Sequence, residues 1–251
     1  MTPVVSVIIP VHDGARFLPR AVATVREQGM ADCEIVVVDD GSTDETGAVA
    51  RLLAEDAGNR LRIVAADHGG PAAARNRGLE AAAGALIAFL DADDLWPSDR
   101  MARLRARLAA DPGLDFVHGK LQPVREDPAD PLWGQLYPEG APIVGPSSLC
   151  TGLFHRRAFD RVGSLDETLR LGEDMDWYLR AIEQDLRLVI IDRVVLHYRL
   201  HGGNLTRDRE AVKRSVQQVV TRSLLRRRRA GDRRPLPAPS AFLETCGSKS
   251  P

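Results

Sequence analysis

The sequence predicts an α/β protein: a mostly parallel sheet flanked by helices, with a smaller mixed second half and a C-terminal helix. Three observations carry this expectation. Apolar, β-branched runs recur at 4–11, 34–38, 61–65 and 85–90. Each is continuous rather than alternating, which is the pattern of strands covered on both faces. Helical stretches separate them, and strand–helix–strand alternation of this length implies right-handed crossovers between parallel strands.

The elements follow in order. A helix over 15–28 stops at Gly29. A second, over 44–56, opens at Ser42-Thr43-Asp44-Glu45, where Ser42 and Glu45 have the spacing of a capping box. A third, over 71–83, has Pro71 in its first turn and Gly84 just past its end. A fourth, over 99–110, follows Pro97-Ser98 and stops before Pro112. Residues 121–146 carry Pro123, Pro128, Pro131, Pro138, Pro142 and Pro146 and read as an extended loop over the sheet. Beyond it come helices over 156–161 and 173–184, strands over 186–191 and 194–200, and a basic helix over 207–229. The Pro-, Ser- and Gly-containing tail over 230–251 is expected to be disordered.

Composition narrows the class. A chain of 251 residues with 44% hydrophobic residues holds one large domain or two small ones and is too apolar for a disordered protein. No apolar run approaches the roughly 18 residues of a membrane span, and the N-terminus lacks the basic region of a secretory signal. Cys33, Cys150 and Cys246 form neither a zinc spacing nor a disulfide framework, which points to a reducing cytoplasm and to Cys33 and Cys150 as small buried hydrophobes. The net charge of −1 hides a basic segment over 207–234 on an acidic body. Of the 34 Lys and Arg only Lys120, Lys213 and Lys249 are lysine, so arginine is abundant throughout. The run over 226–229 reads as a solvated helix end, with at most peripheral membrane contact and no nucleic-acid partner.

The acids matter by position. Asp13 follows the first run, Asp39-Asp40 the second, Asp67 the third, and Asp91-Ala92-Asp93-Asp94 the fourth. Ligands of open parallel sheets bind beyond the carboxyl ends of the strands. Converging acids repel unless a cation or a donor-rich ligand joins them. Asp91 and Asp93 alternate about a small residue and suit Mg²⁺ or Mn²⁺ shared with a substrate phosphate. Asp44 and Asp99 read as helix caps, and Asp67 fits a cap or the crevice equally. Neither a G-x-G-x-x-G nor a G-x-x-x-x-G-K-[ST] is present, so a nucleotide here needs a metal in place of a glycine cradle.

These residues carry a resemblance. Val7-Ile8-Ile9-Pro10-Val11-His12-Asp13-Gly14, Val38-Asp39-Asp40-Gly41-Ser42-Thr43-Asp44, Ala74-Arg75-Asn76-Arg77-Gly78 and Asp91-Ala92-Asp93-Asp94 resemble the family-2 nucleotide-sugar glycosyltransferases of the GT-A fold, a Rossmann-like architecture. Gly163-Ser164-Leu165-Asp166-Glu167, Gly172-Glu173-Asp174-Met175-Asp176-Trp177 and Tyr198-Arg199-Leu200-His201-Gly202-Gly203-Asn204 continue it in family order. The resemblance implies a nucleotide-sugar half over 1–110 and an acceptor half over 111–206 of one domain. It implies that Pro10, Val11, Asp40 and Arg75 surround the uracil of a UDP-sugar, with Asp40 accepting from the ring N–H and Asp39 at or behind the base. Asp91 would approach the ribose and metal, with Ala92 also on the nucleotide sugar. Asp93 would ligate the metal, with His201 as a further ligand and Arg199 facing the diphosphate. Asp174 would be the catalytic base, with Glu173 beside it. Where the family usually has Asn this chain has Asp13, which weakens a donor role for that residue.

The implied reaction is metal-dependent, inverting transfer of one sugar of the glucose, N-acetylglucosamine or galactose type from a UDP-sugar. The acceptor is left open among a saccharide, a lipid-linked sugar, a small molecule, or a Ser or Cys of a peptide. The membrane helices and Gln-x-x-Arg-Trp motif of processive synthases are absent, which favours single addition. Trp177 and Trp133 are acceptor candidates, whereas Trp96 reads as packing behind the metal site. His197 and His201 have helical metal spacing but fall at a strand end, which leaves His201 alone as a candidate ligand. A sugar-1-phosphate nucleotidyltransferase would need a glycine-rich basic loop where 10–16 reads Pro-Val-His-Asp-Gly-Ala-Arg. A non-catalytic sugar-nucleotide-binding protein is the rival from another class.

Overall fold

Val5, Val7, Ile8 and Ile9 are all fully buried, so β1 (Val5–Val11) lies at the centre of a sheet with helices on both faces. The computed structural model describes residues 4–55, 60–125, 148–237 and 239–243. In the first half β1, β2 (Cys33–Asp40), β3 (Leu61–Ala66) and β4 (Leu86–Phe89) alternate with α1 (Leu18–Arg26), α2 (Thr46–Glu55) and α3 (Pro71–Ala81), and α4 (Arg100–Ala110) follows. The second half contains β5 (Phe116–Arg125), β6 (Gly152–His155), α5 (Arg156–Val162), α6 (Glu173–Glu183), β7 (Leu188–Leu200) and α7 (Arg209–Arg229), with short 3₁₀ turns over Leu149–Thr151, Leu205–Arg207 and Pro239–Phe242. The described residues form one seven-stranded sheet in the order β3-β2-β1-β4-β6-β5-β7. β3, β2, β1 and β4 run parallel, β6 is antiparallel to both β4 and β5, and β7 runs parallel to β5.

The α/β expectation is met, and the details depart from it in four places. β5 and β6 were not anticipated. β6 has four residues, too few for periodicity to register, and β5 reaches Arg125 through Pro123, inside the stretch expected to be a loop. Pro123 is tolerated because β6 covers β5 only at Phe116, Val117 and His118, and the rest of β5 has β7 alone as a described neighbour. The strands expected over 186–191 and 194–200 are one strand, β7, whose break in pattern is a register shift opposite Gly119. Residues 205–207 form a 3₁₀ turn, so α7 starts at Arg209.

The caps also differ. The Ser42 hydroxyl accepts from the Asp13 amide (3.0 Å) and does not cap α2. Asp44 takes that place by accepting from the Thr46 amide (2.8 Å). Asp99 stands at the N-cap of α4, but its carboxylate pairs with Arg103 (2.6 Å).

Packing fixes how close the layers lie. A Cβ on Gly78 of α3 would stand 2.3 Å from Ile8 Cγ2, so α3 rests directly on β1. In the second half Trp177 and Tyr178 of α6 pack with Phe116, Phe154 and Phe159 in an aromatic cluster; Phe159 and Trp177 have ring centroids 4.6 Å apart. Trp96 is buried and carries the Arg100 guanidinium 4.1 Å above its ring.

Candidate active site

The C-terminal ends of β1, β2 and β4 bring three acidic loops to one rim. The β1 and β2 loops are tied to each other. Asp13 adopts a positive φ (48°), and its carboxylate accepts from the Thr43 amide (2.7 Å) and the Asp44 amide (3.2 Å), bonds that hold its pKa below the usual carboxylate range. Asp39 accepts from the Ser42 amide (3.0 Å) and shapes the same turn. Asp13 and Asp39 are thus the staples that shape this rim. Pro10 and Val11 close β1, opposite Val38 and Asp39 of β2.

Asp40 is buried at 3% exposure, and its two oxygens accept from the Gly69 amide (2.9 Å) and the Gly70 amide (2.8 Å). Gly70 has φ 86°, a conformation that costs a side-chain-bearing residue about 1 kcal/mol or more. The arginine beside Asp40 is Arg77 (3.4 Å), whereas Arg75, expected on the base, points to other partners. His12 and His68 stack at 4.1 Å, and both donate through Nδ1 to the Asp40 carbonyl (2.9 and 3.1 Å). Arg77 and His68 were not assigned from the sequence. Arg77 lies in a quoted motif, but the motif does not say which of its two arginines meets Asp40.

The loop after β4 gathers Asp91, Asp93 and Asp94, whose ligand oxygens lie within 4.8 Å of one another. Asp94 is buried, and burial followed by the charges of Asp93 and Asp91 pushes its pKa well above the ordinary carboxylate range. Three carboxylates so placed, Asp94 buried and Asp91 and Asp93 half-buried, are a hard-oxygen set, and the residues fit Mg²⁺ or Mn²⁺. The β7 end packs over this loop. The Arg199 amide donates to Asp94 (3.0 Å), and its guanidinium binds the Asp93 and Ala92 carbonyls above the Phe17 ring. Arg199 therefore shapes the acidic loop through its backbone.

His201 is buried and 2.9 Å from Asp93 Oδ2 through Nε2, while the Gly203 amide donates to its Nδ1 (3.1 Å). A nitrogen that accepts carries no proton, so this bonding puts the proton on Nε2, which donates to Asp93. Direct ligation through Nε2 would require a proton on Nδ1, facing the Gly203 N–H. His201 Nε2 is thus paired with the Asp93 carboxylate at the edge of the acidic loop.

Glu173 and Asp174 enter through Gly172, which has φ 84° at the N-cap of α6. Arg75, 4% exposed, bridges the two acidic groups of the site. Its guanidinium binds Asp91 (2.6 Å) and Glu173 (2.6 Å) and lies 3.5 Å from Asp174. Asp174 accepts from the Leu149 amide through Oδ2 (2.8 Å), and its buried Oδ1 has no hydrogen-bond partner. The helix N-terminus favours the ionised form, but burial dominates and raises Asp174 to about 7, against the pull of Arg75. A carboxylate with one oxygen anchored, the other without a hydrogen bond and a pKa near neutrality is equipped to take a proton. The Leu149 contribution is a backbone amide and leaves no trace in sequence.

Trp177, expected on the acceptor, is fully buried, with Nε1 donating to the Gly163 carbonyl (3.0 Å); it belongs to the aromatic cluster and supports α6 from behind. Trp133 lies outside the described residues.

The comparisons agree with this geometry. Residues 6–161 match the model of glycosyl transferase family 2. A PGL/p-HBAD biosynthesis glycosyltransferase of Mycobacterium bovis is 31% identical over 217 residues, covering 84% of each chain. The succinoglycan biosynthesis protein ExoU of Rhizobium meliloti is 33% identical over 248 residues, covering 88% of this chain and 70% of its own. Among solved structures, S. aureus TarS in complex with UDP-GlcNAc superposes with a TM-score of 0.67 at 19% identity, over 81% of this chain and 60% of that one. The mannosyltransferase PcManGT of Pyrobaculum calidifontis, in complex with GDP-Man and Mn²⁺, superposes with a TM-score of 0.72 at 24% identity, over 95% and 67%. These two give the fold, which is GT-A. The sheet, the acidic rim and the matched residues lead to one conclusion: the chain is a glycosyltransferase and belongs to family 2.

Proposed function

We propose that the chain moves a single sugar from a UDP-sugar to an acceptor nucleophile, with inversion and with a divalent ion at Asp91, Asp93 and Asp94. One observation carries the reading: a buried carboxylate of near-neutral pKa, Asp174, is joined through Arg75 to the acidic loop that would hold the diphosphate. The ion, when bound, neutralises the phosphate charge that builds as UDP departs. Asp174 takes the acceptor proton as the acceptor attacks the anomeric carbon from the face opposite the leaving diphosphate, which inverts the centre. Arg75 fixes the distance between base and donor and holds Asp174 partly ionised near neutral pH. His201 and Arg199 aim Asp93 and the loop backbone. Asp40 retains a second lone pair on each oxygen for the base N–H, with His12, His68 and Arg77 around it.

UDP is supported by the family pattern about Asp40 and by the UDP-GlcNAc complex of one structural neighbour, while another holds GDP-Man. The test is hydrolysis of UDP-glucose, UDP-GlcNAc, UDP-galactose and GDP-mannose with Mn²⁺, Mg²⁺ or EDTA, followed by acceptor trials with the best donor. The expected result is metal-dependent release of UDP, lost in Asp93→Asn. Metal-independent release, or turnover of GDP-mannose alone, overturns it.

A further inference from the structure

α7 departs from an ordinary surface helix. Such a helix buries its aliphatic residues and shows its charges. Here the inward face carries the buried Val219 together with Arg222, Ser223 and Arg226. Arg222 pairs with Asp166; Ser223 donates to Glu183 (2.5 Å); Arg226 pairs with Asp176 (2.8 Å) and Glu183 (2.9 Å). Val216, Val220, Leu224 and Leu225 face outward, with exposures of 41%, 38%, 56% and 48%. Val216, Val220 and Leu224 recur every fourth residue and form one stripe along the helix. Exposed Lys213 and Arg214 precede the stripe and exposed Arg228 and Arg229 follow it. None of these four has an ion-pair partner among the described residues.

The charge pattern selects the occupant. A second copy docked on this face would oppose arginine with arginine. A nucleic acid would satisfy the charges and leave the aliphatic stripe in water. An anionic lipid surface satisfies both, by taking the stripe into its interface and its headgroups to the flanking cations. We propose that the outward face of α7 lies on an anionic membrane surface. The site adjoins this helix. A Cβ at Gly172, where α6 begins, would meet Ser215 and Val219, both at 3.3 Å, and Arg207 donates to the His201 carbonyl (3.5 Å). A bound α7 therefore carries on its inward face the contact with Gly172, where α6 begins.

The inference goes beyond the transferase reading and does not need it, because binding is read without turnover. The full chain is floated with phosphatidylcholine vesicles with and without phosphatidylglycerol. Co-flotation with the anionic vesicles only, weakened by salt, is expected. Lys213→Glu with Arg214→Glu lowers partitioning at least thirty-fold, and Val220→Asp with Leu224→Asp lowers it at least tenfold; because all four side chains are exposed, thermal midpoint and circular dichroism stay unchanged. Equal binding to neutral vesicles, no binding to either, or a dimer that Val220→Asp with Leu224→Asp converts to monomer without any vesicle binding overturns the proposal. Salt-sensitive RNA binding in place of flotation does so as well.

Discussion

Asp174 is an unusual carboxylate. Its Oδ1 is buried without a hydrogen bond, with the Arg75 guanidinium 3.5 Å away, and burial raises its pKa to about 7. Because ionisation is required of a base, kcat/KM should rise through an acidic limb near pH 7, and Asp174→Asn should lower the rate about 10²–10⁴-fold while UDP binding, read by calorimetry, persists. Arg75 is the foremost influence lowering that pKa. Arg75→Met should move the limb to higher pH, visible in the pH profile of whatever rate remains. The stability linkage has a definite sign. A carboxylate whose folded pKa lies above its unfolded value of 3.8 favours the fold while protonated, and that contribution is lost as pH rises through about 7. Asp174→Asn should accordingly melt at a higher temperature than the native chain at pH 8. In sequence, only the resemblance singles out Asp174, because an acid in the first turn of a helix is otherwise ordinary. Arg75 and Arg77 show the opposite limit: the motif is legible, but which arginine meets Asp40 depends on where α3 sits.

α3 is the element that assembles the site. Three successive residues on it, about 100° apart in projection, serve three partners. Arg75 meets Asp91 and Glu173, Asn76 meets the 163–172 loop, and Arg77 meets Asp40. Asn76 accepts from the Leu165 amide (2.9 Å) and donates to the Leu165 carbonyl (3.0 Å) and Glu167 (2.8 Å). That loop leads straight into Glu173. Asn76→Ala should cost about 1–3 kcal/mol in a urea titration, by stranding the Leu165 amide and carbonyl. On the sheet side, Gly78→Ala would press a methyl 2.3 Å from Ile8 Cγ2 and 3.2 Å from Val38 Cγ2, and should cost about 1–3 kcal/mol by the same measurement. The first-half strands were legible because burial on both faces writes itself as an unbroken apolar run. β6 was not, because a four-residue strand enclosed between neighbours has no room for a pattern. Trp177 was misplaced because a tryptophan one turn into α6 looks the same in sequence on either face.

For the molecule as a whole, acids clustered at one rim are a store of repulsion that a ligand relieves. Mn²⁺ with UDP at about 100 times the dissociation constant should add about 2.7 kcal/mol, which raises the thermal midpoint of a chain this size by about 5–10 °C; EDTA should remove the gain, and Asp93→Asn should abolish it. The strand order has a different consequence. β6 is sixth along the chain yet lies between β4 and β5. On the ribosome, β1 to β4 emerge as a complete parallel group with one flank of β4 bare, and residues 152–155 must arrive before that flank is closed. At ordinary elongation rates the gap lasts about 3–13 s. During that interval the nascent chain offers an unpaired strand edge, the feature most prone to mispairing, so a chaperone at the tunnel exit would find its grip there.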